Sequence, residues 1–439
     1  MSPTFSSLSI HNYRLYAAGG LVSNVGTWMG RVAQDWLVLT QLTDHSSVAL
    51  GVVTGLQFLP MLLLAPWTGM IADRFPKRRI LLATQASLAL TAALTGVLVV
   101  TGSAQLWHIY LLALLQGVAT SVDNPARQTF VSEMVPVERL TNAVSLNSAS
   151  FNAGRLVGPG LAGLLIAWLG TGPAFFVNAA SFLAVMVAVS RLRGDELQPA
   201  PRLHGRTSML DGVRYVRDRP DIVLIMAIVL VLGMFGMNFQ LTMALMATTV
   251  FHKGAGEFGL LGSIMAVGSL AAALLSARRA RPRLRVLMLS LAGFAVASTA
   301  AALAPTYPAF AVLLVPVGLT ALTALTTANS FVQLHVEQHM RGRVMALYMA
   351  ILMGSTPIGS PIVGWIGEVF GARWTILVGS ISVALTLAAA TLYLRRRQHL
   401  RFRYDRERHP HLVITRDAQE PRLAHASADA DVEDRRVTV

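Results

Sequence analysis

The strongest constraint on this chain is the length of its uncharged apolar stretches. Leu81–Val122 contains no Asp, Glu, Lys or Arg, and neither does Val286–Gln333. Each can supply two helices of about 20 residues, the length that crosses the hydrocarbon of a bilayer. A backbone in lipid must satisfy its own hydrogen bonds, which favours helices. Across the 439 residues, 54% are hydrophobic and only 13% are charged, well below the roughly one quarter charged in soluble domains. The pattern predicts twelve spans: 13–41, 47–72, 80–101, 106–124, 143–169, 172–190, 221–250, 257–277, 286–304, 308–330, 344–369 and 374–394.

The net charge of +14 suggests nucleic acid until the positions of the basic residues are examined. Of 36 Lys and Arg, 32 fall in the N-terminus, alternate loops and the tail, whereas the intervening loops hold only Lys253 and Arg373. Such asymmetry is the positive-inside rule, and it predicts both termini in the cytoplasm. The charge is topological, and no folded domain remains to carry a nucleic-acid face. Cysteine is absent, which excludes disulfide scaffolds, Cys-ligated zinc and iron–sulfur clusters. The opening MSPTFSSLSIHNYR lacks the basic start, short apolar core and small-residue cleavage site of a signal peptide, and is expected to belong to the mature chain.

A polar, Arg- and Pro-rich run, 191–220, divides the spans into an N-terminal half, 1–190, and a C-terminal half, 221–394. The tail 395–439 begins basic and ends acidic; it is expected to lack regular structure, with its basic part on anionic headgroups. The halves read as diverged copies. Gly158, Gly163 and Gly170 correspond, at a constant offset of 201, to Gly359, Gly364 and Gly371. Parallel six-helix repeats about an axis along the membrane normal match one large transporter architecture.

The loop after the second span reads GMIADRFPKRR, Gly69 to Arg79. Gly69 allows close helix approach, Asp73 can cap or pair across the turn, and the cations hold the loop in the cytoplasm. The spacing Gly-x-x-x-Asp-Arg-x-x-x-Arg-Arg resembles the helix 2–3 signature of the major facilitator superfamily, with Pro76 in place of its usual second glycine. The resemblance implies an all-α membrane protein of twelve transmembrane helices, arranged as two six-helix bundles with pseudo-twofold symmetry. It also implies that Gly69, Asp73, Arg74, Arg78 and Arg79 form a latch between halves in the outward-facing state, with Asp123 and Arg127 as candidate partners.

The fifth span carries GRLVGPGLAG. Pro159 removes one backbone hydrogen bond, while Gly154, Gly158 and Gly163 permit close packing. This run resembles the antiporter signature of exporters in the superfamily. More widely, residues 10 to 395 resemble its bacterial drug- and siderophore-exporter branch, which implies a multi-pass protein of the bacterial inner membrane that exports hydrophobic or amphipathic molecules, with multidrug resistance among its expected roles. One departure is Ala113, where drug–proton antiporters usually have arginine; Gln116–Gly117 of that pattern remain.

Ionisable groups inside hydrocarbon are expensive and are functional candidates by default. Well inside the spans lie Arg31 and Asp35, four residues apart and so on one helix face, and Arg155. Asp35 is the candidate proton carrier, with Arg31 and Arg155 as its partners; a static ion pair is the competing reading. Candidate cavity residues are Gln34, Gln57, Gln116, Asn152, Asn238, Gln240, Met234 and Phe235, a polar and polarisable set suited to varied ligands. No phosphate-binding Gly-x-x-x-x-Gly-Lys-Ser/Thr loop, metal cluster or nucleophile–base pair is evident, so no enzyme, cofactor or metal site is expected. The expected partners are a small-molecule substrate, protons and the bilayer, with the chain acting as a monomer. The alternatives are an uptake symporter of the same fold and a non-transporting membrane receptor.

Overall fold

The computed structural model describes residues 3–198, 209–279, 283–398, 400–405 and 411–416. The helices before the linker are α1 (His11–Leu37), α2 (Ser47–Leu63), α3 (Ala65–Arg74), α4 (Lys77–Val100), α5 (Leu106–Met134), α6 (Val137–Leu169) and α7 (Thr171–Ser190). Then come α8 (Met209–Arg217), α9 (Pro220–Val231), α10 (Phe239–Leu245), α11 (Ala255–Ala277), α12 (Leu284–Ala302), α13 (Tyr307–His335), α14 (Arg341–Phe370) and α15 (Ala372–Gln398).

Eight helical rods among the described residues are long and apolar enough to cross a membrane, judged by length and composition: α4, α7, the rod Pro220–Val250, and α11 to α15. The long helices that fall short are α1, α5 and α6. These are the helices that carry Arg31, Gln34, Asp35, Gln116, Asp123, Asn152 and Arg155. Their lower apolarity therefore marks where polar chemistry is concentrated. The helix after the first loop is divided at Leu64, just before Pro66, which cannot donate to the preceding turn.

Two helices run well past the lengths expected from hydropathy. α5 continues through Pro125 to Met134, and α13 continues to His335. The run 125–134, expected as a loop, is thus helical. Hydropathy marks where hydrocarbon ends, whereas helix propagation continues into water while backbone bonds remain available. The segment expected as one span at 221–250 is broken. It passes through a π-turn at Leu232–Gly236, leaves helical geometry at Met237 and Asn238, and resumes as α10. Asn238 secures this break: its Nδ2 donates to Met234 O at 2.8 Å, and its Oδ1 accepts from Ser360 Oγ on α14 at 2.6 Å.

Helices before the linker pack mainly on one another, as do those after it, and two seams join the sets: α2 against α14, and α6 against α11. The glycines related by the offset of 201 play matching parts, the first pair inside each half and the second pair in these seams. A Cβ at Gly158 would meet Trp28 on α1, and one at Gly359 would meet Met234 at the break after α9. A Cβ at Gly163 would lie 2.6 Å from Ala255 O on α11, and one at Gly364 would lie 2.5 Å from Ser47 O on α2. Gly170 and Gly371 each end a helix with φ of +83° and +93°, a conformation that side chains resist.

Residues Met1–Leu387 form one compact unit and Ala388–Val439 a second. In the second, β1 (Leu400–Asp405) pairs antiparallel with β2 (His411–Arg416). The expectation of a tail without regular structure overlooked a period-two alternation of Leu400, Phe402 and Tyr404 with charged residues. The register sets Phe402 opposite Ile414 and Tyr404 opposite Leu412.

Candidate functional site

α1 brings the principal candidates together because Trp28, Arg31 and Asp35 recur at helical spacing. The Arg31 guanidinium lies 5.0 Å from the Trp28 ring centre and 5.7 Å from that of Phe58 on α2. Arg155, on α6, reaches the same indole at 5.8 Å. Trp28 also meets Phe151 edge to face at 5.8 Å. α6 can approach this closely because Gly154 faces Asn24 and Gly158 faces Val25 and Trp28. Indole presents a negative π face, so it holds cations without neutralising them.

Asp35 is buried, and its Oδ2 has no hydrogen-bond partner among the described residues. No ion pair within 4.0 Å joins it to Arg31 or Arg155 among those residues, which corrects the expected ion pair. Both arginines instead turn to aromatic faces. The neighbouring Gln34 accepts a hydrogen bond from Gln57 at 3.1 Å, while its own Nε2 has no partner among the described residues. Buried polar groups in folded proteins are almost always bonded. Two such exceptions on consecutive residues mark a place built for something other than stability.

The expected latch takes a different form. Gly69 is exposed, and among the described residues nothing lies within 4 Å of a Cβ built there, so its Cβ side is open in this conformation. The side chain of Asp73 lies outside the described residues. Arg74 and Arg79 are exposed, and Arg78 donates to Ser190 O at 2.6 Å. Asp123 and Arg127, the candidate partners, bind each other at 2.6 Å. Asp123 Oδ1 further accepts from Thr84 Oγ1 at 2.7 Å and Gln85 Nε2 at 2.9 Å, so its carboxylate is occupied within its own set of helices. Lys77 pairs with Glu133, an acid that the sequence reading passed over.

The remaining candidates divide. Asn152 bonds to Ser148 O of its own helix, and Asn238 is committed to the break described above. Gln116, Gln240, Met234 and Phe235 are half-buried. Phe235 and Asn238 line a cavity of about 20 Å³ among α10, α12, α13 and α15, room for roughly one water. The buried, unpartnered Ser298 Oγ faces the same space. On α6 the motif presents two faces: Gly154 and Gly158 against α1, Pro159 and Gly163 against α11. Trp28, Phe58 and Glu368 were missed as contact residues. The first two had an available signal, since apolar spans with buried arginines need aromatic neighbours.

Long apolar helices, glycine-lined seams between the two halves and a buried acid on α1 fit a carrier of the major facilitator superfamily. Within it, the chain belongs to the transmembrane secretion effector family, whose profile matches residues 2–415. It is 26% identical over 375 residues to the staphyloferrin A transporter of Staphylococcus aureus, covering 83% of this chain and 91% of that protein. It is 27% identical over 401 residues to the multidrug efflux pump Tap of Mycolicibacterium fortuitum, covering 88% and 96%. Identity to the enterobactin exporter EntS of Citrobacter koseri is 24% over 334 residues, covering 75% and 79%. Among solved structures, the nucleoside transporter NupG superposes with a TM-score of 0.66 at 13% identity, covering 88% and 99%. An inward-facing, unoccupied bacterial homologue of the lysosomal transporter Spinster gives 0.65 at 14%, covering 90% and 98%. These last likenesses are of fold.

Proposed function

We propose that the chain is a secondary active exporter of hydrophobic or amphipathic small molecules, drug or siderophore among them, working by alternating access in a bacterial inner membrane. It has twelve spans in two six-helix bundles, 1–190 and 221–394, joined by the linker 191–220, with both termini in the cytoplasm. It acts as a monomer. The relatives named above support export, and the basic loops support the orientation.

One observation carries the reading. The seams are closed toward the Arg-poor loops, at Ser47 with Gly364 and at Gly163 with Ala255, while Gly69 at the Arg-rich end stands open. A carrier caught with one end shut and the other parted has that geometry. Under the proposed orientation this is the inward-facing state, and the latch around Gly69 and Asp73 closes in the alternate one.

Asp35 is the proposed proton carrier. With no arginine at position 113, it is the carboxylate nearest the middle of the first span, and its Oδ2 is free of competing partners. Protonation from outside and release inside would drive antiport. The test is efflux and counterflow of a fluorescent amphipathic dye in proteoliposomes, wild type against Asp35→Asn. The variant should retain counterflow and lose efflux driven by an imposed pH gradient. Full gradient-driven efflux by Asp35→Asn would end the assignment, and absence of counterflow in the wild type would end the carrier reading for that dye class.

A further inference from the structure

We infer that Glu368 is an inter-half latch at the Arg-poor end, and that its carboxylate biases the carrier toward the state open at the Arg-rich end. The inference rests on the alternating-access reading above. Glu368 lies in the last turn of α14, yet it completes the cap of α2, a helix of the opposite half. Its Oε2 accepts from Ser47 N at 2.9 Å, Ser47 Oγ at 3.0 Å, Ser46 Oγ at 3.3 Å and Val48 N at 3.4 Å. The first backbone N–H groups of a helix have no partner within it, and they carry the positive end of its dipole. A carboxylate placed there makes charge-assisted bonds.

These bonds exist only while the seam is shut. Parting α2 from α14 would break all four together and return the α2 terminus to water. Beside them Ser47 Oγ also reaches Gly364 O at 2.8 Å, and Gly364 and Gly367 let α14 approach Ser47 closely. Among the described residues the related seam shows no carboxylate in this role; its hydrogen bond between halves runs from Ser263 Oγ to Leu156 O at 2.6 Å. The offset of 201 places Ala167 where Glu368 stands, and α11 begins at Gly254 without a side-chain cap. Among the described residues, closure at this end therefore has one carboxylate contact, on one side, seconded by the hydrogen bond from Ser47 Oγ to Gly364 O.

The absence of native cysteine makes the test direct. Ser103 and Pro305, both exposed in Arg-poor loops on opposite sides of the linker, are replaced by cysteine and spin-labelled in the full chain in liposomes. Glu368→Ala should raise the ratio of the longer to the shorter distance population about fivefold, the scale of losing a helix cap that water partly replaces. Glu368→Gln, whose amide oxygen still accepts, should fall between Ala and wild type, and it carries the test should the alanine variant fail to insert. A graded shift supports the latch. Distributions unchanged from wild type in the inserted variants, while the wild type still shows two distances and counterflow, would overturn the latch and leave the carrier reading standing. A single distance with no counterflow in the wild type would overturn both.

Discussion

Gly158 and Gly163 lie five residues apart on α6, yet replacing them should have different consequences. A Cβ at Gly163 would sit 2.6 Å from Ala255 O and 3.0 Å from Gly256 Cα, backbone atoms of the opposite half that cannot rotate away. A Cβ at Gly158 would sit 2.7 Å from Trp28 Cβ and 2.9 Å from Val25 O, within its own half. Overpacking of this kind costs about 1–3 kcal/mol. For Gly163→Ala the cost falls only on the state in which α6 touches α11. A penalty of about 2 kcal/mol would therefore shift the balance of states roughly thirtyfold toward opening at the Arg-poor end. For Gly158→Ala the cost falls on every state, so thermal stability drops while the balance stays put. The assay is alkylation of a single cysteine at Ala255, a seam position only 5% exposed, together with a thermal melt in detergent. Faster alkylation in Gly163→Ala and a lower midpoint in Gly158→Ala are expected. Equal loss of stability in both, with alkylation unchanged, would refute the reasoning.

Other substitutions test separate parts of the structure. Asp123→Ala strands Arg127 and removes acceptors from Thr84 and Gln85; about 3–5 kcal/mol of stability should be lost, read from melting, since half of a buried pair is left unpaired. Gly371→Ala forces a side chain into φ +93° and should lower stability by about 1–3 kcal/mol on the same assay, with transport per folded molecule unchanged. Trp28→Ala removes the ring shared by Arg31 and Arg155; dye efflux should fall at least tenfold while membrane insertion, followed by tagged-protein yield, persists.

Much of the fold could be read from the chain. Hydrocarbon-length apolar runs specify the helices, because lipid leaves the backbone no other partner. The offset of 201 was visible as spacing, and Gly170 and Gly371 both end helices with positive φ. Long-range pairing was hidden. Asp123 is bound by its own Arg127 and by α4, because a carboxylate takes the nearest adequate donors, and sequence does not reveal which face of α4 carries them. Spacing of four residues left a static pair of Arg31 with Asp35 as one of two readings, and side-chain direction sends the guanidinium to Trp28 and Phe58. The break at Met237 and Asn238 left no proline to announce it. Gly69 shows a different limit: under the proposed latch its role depends on which conformation the protein occupies, and one sequence encodes both.

The seams differ in how they must let go. Between α6 and α11 the surfaces are glycine, carbonyl and Ser263, whose hydroxyl bonds Leu156 O; attraction there is spread thinly over many atoms. Between α2 and α14 the directional bonds cluster around Ser47, where Glu368 Oε2 and Gly364 O both accept. Under a rocking motion the first edge should peel gradually and the second should snap. The moving half would then swing like a door that yields along its hinge before it clears its catch, so the last residues to separate are those around Ser47.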